Sequence, residues 1–214
     1  IEEKMSYKKK ILDKVLEKRG YLLTYHKMIG EWDPKLLESY DSFYENLTLE
    51  ERTLTLKNRE LVWAALQVAA DEEHGHIHMK RAKKIGLSSE ILTNAIALAG
   101  AAESHRALWF GFTHWGEWIP DDYSKKCYLD ICENARGDIE PKIAEIILTV
   151  CHAARRSYGP MRIHLQRTFE NGASQAELAE ALSYMLLPCG GPTLIDAVKI
   201  WEEEGLKNNC PSPY

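Results

Sequence analysis

The sequence predicts an all-α fold built as a tandem repeat of one helical unit, and three observations support this. The segment IHMKRAKKIGLSSEILTNAIALA, from Ile77, recurs about 86 residues later as IHLQRTFENGASQAELAEALSYM, from Ile163. Apolar residues recur with the helical period of about 3.6 along nearly the whole chain. No alternating stretch rich in valine or isoleucine indicates a strand.

The first half of the chain is predicted to hold four helices. Asp33 supplies an N-cap side chain and Pro34 a first helical residue, a combination that is typical of helix starts. Gly86 suits the left-handed conformation that closes a helix, and Ser88 or Ser89 can cap the next one. On these signals we expect helices over about residues 3–18, 34–47, 56–85 and 88–112.

The second half repeats this pattern from about Pro141. Gly159 and Pro160 should interrupt its first helix, and Gly172 should end the next one. The sequence PCGGP at residues 188–192 should break the last helix, because proline and glycine are costly inside one.

Residues 120–122 form the expected linker between the two repeats. The predicted division is an N-terminal helical extension at 1–33, repeat one with the active site at 34–119, and repeat two with a C-terminal tail at 120–214.

The composition is that of a compact globular protein, with 45% hydrophobic and 28% charged residues. A formal net charge of -5 offers no basic surface for nucleic acid, and no apolar stretch reaches the roughly 20 residues that a membrane span needs. Five cysteines without C-x-x-C spacing indicate free thiols. We expect a cytoplasmic protein whose partners are a small-molecule substrate and copies of itself, and neither nucleic acid nor membrane.

A spaced motif occurs in both halves of the chain. In the first half it reads His-x-x-x-Ala-x-x-x-Gly-Leu-Ser from His78, and a glutamate, Glu60, precedes it. In the second half, Glu145 lies 19 residues before His164, and the sequence GGPTLIDA follows from Gly190. These motifs resemble the carboxymuconolactone decarboxylase family, which includes the alkylhydroperoxidase D-like proteins. The resemblance implies an all-α fold, a closed oligomer and lyase chemistry of the decarboxylase kind.

The chain departs from the peroxidase branch of this family, which is similar but places Cys-x-x-Cys just before the histidine. Asp71 and His74 stand at those positions in repeat one, and Ser157 and Pro160 in repeat two. A dithiol reductase needs a low-pKa thiolate beside a resolving thiol. The sequence therefore predicts a protein that is not a thiol peroxidase.

Asp71, His74 and His78 are predicted to share one stripe of the long helix, since they lie at positions i, i+3 and i+7. His76 would point away from this stripe. Two imidazoles and a carboxylate can bind a divalent metal with open positions, form a proton relay, or make a polar helix face in solvent. The sequence leaves these three interpretations open, and no organic cofactor is expected.

Glu60 is a further candidate acid or base, because burial would raise the pKa of its carboxyl group. On a straight helix it would lie about 16 Å along the axis from the start of the stripe. Contact between them requires a helix break, which the family resemblance implies. Glu145 has the same two interpretations, either an interior acid or base or a glutamate that the helix dipole stabilises.

Glu103 and His105 are polar residues within an otherwise apolar helix, where polar groups usually have a partner. They could line the same pocket as His78, or Glu103 could pair with Arg106 at an interface. The aromatic run at 109–118 indicates a core or a subunit interface, so we expect a trimer or a dimer.

The residues and the resemblance together predict a decarboxylase-like lyase that acts on a small carboxylated or enolisable compound by acid/base chemistry. The catalytic candidates are Glu60, His74, His78 and His105, and the candidate metal ligands are Asp71, His74 and His78. Two alternatives stay open. One is a metal-dependent oxygenase or hydrolase, and the other is a non-catalytic ligand-binding or assembly protein on the same scaffold.

Overall fold

The computed structural model describes residues 2–120 and 122–214, with side chains from Tyr7 onward. The chain forms two compact units, residues 1–50 and 51–214, and each is described by itself. All regular structure of the described residues is helical, which confirms the predicted all-α class. None of the described helices is both long enough and apolar enough to cross a membrane.

The first unit follows the predicted helices and adds one. Its helices are α1 (Glu2–Arg19), α2 (Thr24–Trp32) and α3 (Pro34–Tyr44), with a turn of π-helix over Glu45–Leu49. The Asp33 side chain accepts a backbone hydrogen bond in the first turn of α3, and Pro34 is the first helical residue, as predicted. Ile11, Val15 and Leu37 form the buried core. The short helix α2 was not predicted.

The second unit centres on two buried helices, α4 and α8, which pack against each other and against α6. Its helices are α4 (Leu56–Ala69), α5 (His76–Lys84), α6 (Ser89–Trp115), α7 (Tyr123–Arg136), α8 (Pro141–Ala154), α9 (Tyr158–Glu170), α10 (Gln175–Ser183) and α11 (Gly190–Leu206). We call residues 56–115, from α4 to α6, segment one. Residues 141–206, from α8 to α11, are segment two.

The first helix of each segment ends in the same way. After α4 the backbone N of Glu72 bonds to the carbonyl of Gln67 at 2.9 Å, and after α8 the backbone N of Ser157 bonds to the carbonyl of His152 at 2.9 Å. The residue in between is left-handed in both cases, Asp71 at φ 54 and Arg156 at φ 55. These bonds are those of a Schellman helix end, so Gln67 and His152 occupy equivalent positions.

The second helix of each segment also ends in the same way. Gly86 and Gly172 have φ values of 85 and 84, which a glycine adopts without strain. Ser88 then caps α6 and Ser174 caps α10 through their side-chain oxygens. The predicted glycine and serine signals are therefore confirmed in both halves.

The predicted single helix over residues 56–85 is wrong, because the chain breaks between α4 and α5. Asp71 leaves the helical conformation, and Gly75 comes so close to Gln67 that a Cβ atom on Gly75 would lie 2.5 Å from the Gln67 side chain. Residues 71–76 read DEEHGH, and this polar run marks the break, whereas the predicted helix treats it as one face of a continuous helix.

The breaks predicted in segment two occur close to the expected residues. The interruption lies at 155–157, and Gly159 and Pro160 belong to the first turn of α9, where proline is tolerated. The predicted break at 188–192 is confirmed, since α10 ends at Ser183 and α11 begins at Gly190, which has φ 79. Helix α7 was not predicted.

Candidate functional site

A buried glutamate and a buried histidine meet between α8 and α9. His164 Nδ1 lies 2.7 Å from Glu145 Oε2. The break after α8 lets α9 pack back against it, which brings residues 19 positions apart into contact. Arg167 Nε donates to Glu145 Oε1 at 2.7 Å. The carboxylate therefore faces the imidazole with one oxygen and a guanidinium with the other.

Tyr128, on α7, connects this pair to a second histidine. Its hydroxyl oxygen lies 2.6 Å from His164 Nε2 and 2.6 Å from His152 Nε2. The two imidazole rings are stacked, with 5.4 Å between centroids and 14° between planes. We call the chain of contacts Glu145, His164, Tyr128 and His152 the relay.

The donor and acceptor roles in the relay follow from its two ends. His164 donates its Nδ1–H to the Glu145 carboxylate, so its Nε2 accepts the single hydroxyl proton of Tyr128. The Tyr128 oxygen then accepts from His152 Nε2–H. In this assignment Nδ1 of His152 keeps its lone pair and is the basic end of the relay.

Burial is the main influence on ionisation in the relay. Burial, and then the nearby His164 and His105, lower the pKa of His152 to about 2. Burial also raises the pKa of the Tyr128 hydroxyl far above its ordinary value. At neutral pH His152 is therefore uncharged and Tyr128 is protonated, as the assigned roles require.

His152 lines a cavity of about 460 Å³ at the end of the relay. His105 and Trp109 of α6 form part of its wall, with their rings stacked 5.8 Å apart, and the His105 ring meets the Tyr128 ring edge-on at 4.9 Å. Burial, and then His164, lower the pKa of His105, which favours its neutral form. Apolar parts of the wall come from Ala102, Pro160 and Ile163.

Charged residues also line this cavity, namely Glu103, Arg106 and Arg155. Arg155 Nε lies 2.8 Å from Glu103 Oε1. Its Nη1 and Nη2 lie 2.7 Å and 3.0 Å from the two carboxylate oxygens of Asp71. The structure shows neither of the two placements that the sequence left open for Glu103. Glu103 lines a cavity that does not include His78, and its ion-pair partner is Arg155.

Segment one contains an equivalent glutamate and histidine. His78 Nδ1 lies 3.0 Å from Glu60 Oε2, and both side chains are buried. The helix break that the family resemblance implied for this contact is present. The His78 ring stacks on Trp63 at 4.2 Å, and Arg59 contacts the other carboxylate oxygen of Glu60. Burial lowers the pKa of His78, although Glu60 opposes this effect.

A second cavity, of about 500 Å³, lies beside the break in segment one. Gln67 and His76 line it, together with Asp71, Glu72 and Glu73. Neither Glu60 nor His78 is among its lining residues. Gln67, at the position equivalent to His152, therefore lines this cavity with an amide side chain where segment two has an imidazole.

The structure separates the residues that were predicted to share a stripe. Asp71 is 75% exposed and pairs with Arg155, His74 is exposed in a short 3-10 turn, and His78 is buried against Glu60. The stripe prediction is wrong because the helix on which it depended is broken. Among residues 2–120 and 122–214, no group of three or more histidine, cysteine, aspartate or glutamate side chains is placed to hold a metal ion.

The predicted catalytic residues thus fall into three places. Glu60 and His78 are together, His74 is apart from them, and His105 belongs to the wall of the 460 Å³ cavity. Tyr128 carried no sequence signal, because it lies outside both copies of the repeated motif. His152 could have been found from its position seven residues after Glu145, on the same helix.

The comparisons with known proteins agree with this fold. Residues 126–203 match the carboxymuconolactone decarboxylase family. The chain is similar to the solved structure of a protein proposed to be a gamma-carboxymuconolactone decarboxylase subunit, from Burkholderia xenovorans. The two are 18% identical, the match covers 95% of this chain and 98% of that chain, and the TM-score is 0.59. No curated protein matches the chain. The resemblance seen in the sequence motifs is confirmed.

Proposed function

Because residues 126–203 match the carboxymuconolactone decarboxylase family, we propose that the chain is a decarboxylase-like lyase that acts on a small carboxylated, enolisable compound. We place the chemistry at the 460 Å³ cavity of segment two. The observation that carries this proposal is the relay, which connects a buried carboxylate to a histidine on the cavity wall through contacts of 2.6 to 2.7 Å.

The relay accounts for how a histidine with a lowered pKa can accept a proton. When His152 Nδ1 takes a proton from the carbon next to a carbonyl group, His152 Nε2–H passes to Tyr128 and the Tyr128 proton passes to His164 Nε2. The positive charge then lies on His164, beside the Glu145 carboxylate. An imidazolium is stabilised there, whereas on His152 it would be buried without a counter-charge.

The same relay can complete a decarboxylation. The bond between the carboxylate carbon and the α-carbon breaks, CO2 leaves, and the electron pair passes to the neighbouring carbonyl as an enolate. His105, neutral and on the cavity wall, can donate an N–H to the enolate oxygen. The relay supplies the proton that this reaction consumes once His152 Nδ1 has taken one up from water, which leaves the positive charge on His164 as described above. His152 Nδ1–H then protonates the α-carbon, and the proton on His164 Nε2 returns through Tyr128 to His152 Nε2, which restores the neutral relay.

The glutamate and histidine of segment one have a different role in this proposal. Glu60 and His78 are buried and do not line either cavity described above, so we assign them to stabilising the fold. A free copy of the chain also exposes aromatic side chains on α6, among them Trp115 at 55% and Phe110 at 54%. We propose that copies of the chain associate through this aromatic surface, and that the protein works in the cytoplasm, for which its five free cysteines provide support.

Proton exchange in deuterium oxide tests the proposal directly. Wild-type protein is incubated with a panel of small enolisable carboxylates that includes acetoacetate, and NMR follows both loss of the α-proton and loss of the carboxylate. We expect His152→Gln and Tyr128→Phe to reduce the rate by about 100-fold or more, the range of general acid–base catalysis. His76→Gln is the matched control, because His76 lines the other cavity. Equal rates in all three variants, or no reaction by the wild type with any member, would contradict the proposal.

A further inference from the structure

The two arginines of the 460 Å³ cavity differ in what their guanidinium groups already bind. All three nitrogens of Arg155 contact carboxylate oxygens, Nε that of Glu103 and the two Nη atoms those of Asp71. Two carboxylates thus surround one guanidinium. Arg155 has a positive charge that is already neutralised, and a ligand could reach it only by displacing a carboxylate.

Arg106 is the contrasting residue. It is exposed, follows His105 directly on α6, and lines the cavity. Within the part of the chain that the structure describes, no carboxylate forms an ion pair with it. The cavity therefore offers one guanidinium that is ready to bind an anion, on the same helix as the His105 and Trp109 side chains.

We infer that the cavity selects a ligand with a single carboxylate group. This inference rests on the proposed function, which makes the cavity the substrate site. One carboxylate binds Arg106 while the rest of the ligand lies along the apolar wall toward His152. A second carboxylate would lie near the negative charges of Glu103 and Asp71, which surround Arg155. Repulsion between like charges would lower the affinity of the cavity for such a ligand.

The aspartate in this arrangement comes from segment one, although the cavity belongs to segment two. Asp71 has φ 54, a left-handed conformation in which aspartate and asparagine are found more often than other residues with a side chain. Its equivalent in segment two is Arg156, at φ 55. Segment one therefore supplies a residue that determines the ligand specificity of the other segment.

Two rigid probes built on the same benzene ring measure this selectivity. Benzoate has one carboxylate, and isophthalate has two. Calorimetry at low salt gives both affinities for the full chain, and NMR signals of the histidine side chains report whether His105 and His152 are perturbed. We expect the wild type to bind benzoate at least about tenfold more tightly than isophthalate, with changes at both histidines. Arg106→Gln should lose most benzoate binding.

Removing the Asp71 charge from Arg155 should weaken the preference for one carboxylate. In Asp71→Asn the asparagine can keep the backbone conformation, so the fold should persist and Arg155 should gain room for a second carboxylate. We expect the ratio of the two affinities to fall to about threefold or less. Glu73→Gln is the matched control, since it removes one negative charge from the same loop, and it should leave the ratio near the wild-type value.

The outcomes separate the two proposals. If benzoate binds at His105 and His152 but isophthalate binds equally well to the wild type, the single-carboxylate inference is wrong and the placement of the site stands. If Asp71→Asn and Glu73→Gln change the ratio equally, Arg155 is not the cause and the inference is also wrong. If benzoate perturbs neither histidine, the placement of the site fails, and the inference fails with it.

Discussion

Segments one and two contain the same buried glutamate and histidine but differ in what surrounds them. In segment two, His164 continues through Tyr128 to His152 and a cavity. In segment one, the position equivalent to His152 is Gln67, and the His78 ring is covered by Trp63. The contact between glutamate and histidine is therefore a feature of the helical scaffold, and the neighbouring residues decide whether it can exchange protons with a ligand.

This comparison also explains why the two halves can share local structure and differ in chemistry. The left-handed helix ends, the closing glycines and the serine caps recur in both segments, and they are what a duplication of one unit would leave. We propose that such a duplication occurred. The residues that differ, such as Gln67 and His152, line the cavities and contribute to the helix ends through their backbone carbonyls, which do not depend on the side chain.

Replacing each glutamate by glutamine should produce the largest and most different effects. Glu145→Gln removes the carboxylate that stabilises a proton on His164, so we expect activity to fall by about 100-fold or more. Glu60→Gln removes a buried partner of Arg59 and His78, and it should lower the free energy of unfolding by about 3 kcal/mol while activity stays within about threefold of the wild type. Urea unfolding and the exchange assay measure the two quantities on the same samples.

A reversed result would break the comparison between the segments. If Glu60→Gln loses activity as severely as Glu145→Gln, although it remains folded, segment one has its own site. The catalytic assignment of Glu60 and His78 that the sequence suggested would then be preferred.

Substitutions on the exposed surfaces of the two segments should differ in their effect on self-association, by less than the glutamate substitutions differ in activity. The exposed aromatic surface lies on α6 and the turn after it, where Trp115 is 55% and Trp118 is 73% exposed. Buried tryptophans in interfaces often contribute about 2 kcal/mol or more to binding, so Trp115→Ser should weaken association by tenfold or more. Sedimentation velocity should show oligomers for the wild type. A wild-type species of 24.5 kDa at all concentrations would contradict the expected association. Ile195→Ser, on α11 of segment two, is the matched control, since Ile195 is 55% exposed.

Much of the fold could be predicted from the sequence, because local signals determine it. Asp33, Gly86 and Ser88 act through contacts within one or two turns, and the structure confirms each of them. The break at Asp71 is not in the predicted helices, because the polar run at residues 71–76 is also compatible with a solvent-facing stretch of helix. Once that break is known, Glu60 and His78 come together, and Asp71 is free to contact a residue 84 positions away.

The relay could be predicted only in part, because it depends on packing between distant helices. Glu145 and His164 belong to the repeated pattern, and His152 lies seven residues after Glu145 on the same helix, although its equivalent in segment one is Gln67. Tyr128 comes from a helix between the two segments and reaches both histidines by packing. The sequence suggested that His105 lies in one pocket with His78, whereas its ring lies beside Tyr128 and His152.

The smallest expected difference between the segments is in how the free energy of unfolding depends on pH, because segment two has His152 where segment one has a glutamine. An unfolded histidine binds a proton below about pH 6.5, whereas folded His152 stays neutral down to about pH 2. Protons therefore favour the unfolded chain between these values, so stability should fall as the pH decreases below about 6.5 and should be flat above it. Glutamine is the residue at the equivalent position in segment one. Replacing His152 by glutamine should lower this slope by up to about 1.4 kcal/mol per pH unit, which corresponds to one proton fewer taken up on unfolding. Urea unfolding from about pH 5 to pH 8 measures it, with the exposed His114→Gln as the control, which should keep the wild-type slope. An unchanged slope in His152→Gln would mean that His152 takes up a proton in the folded protein, and the assigned relay roles would then have to be reversed.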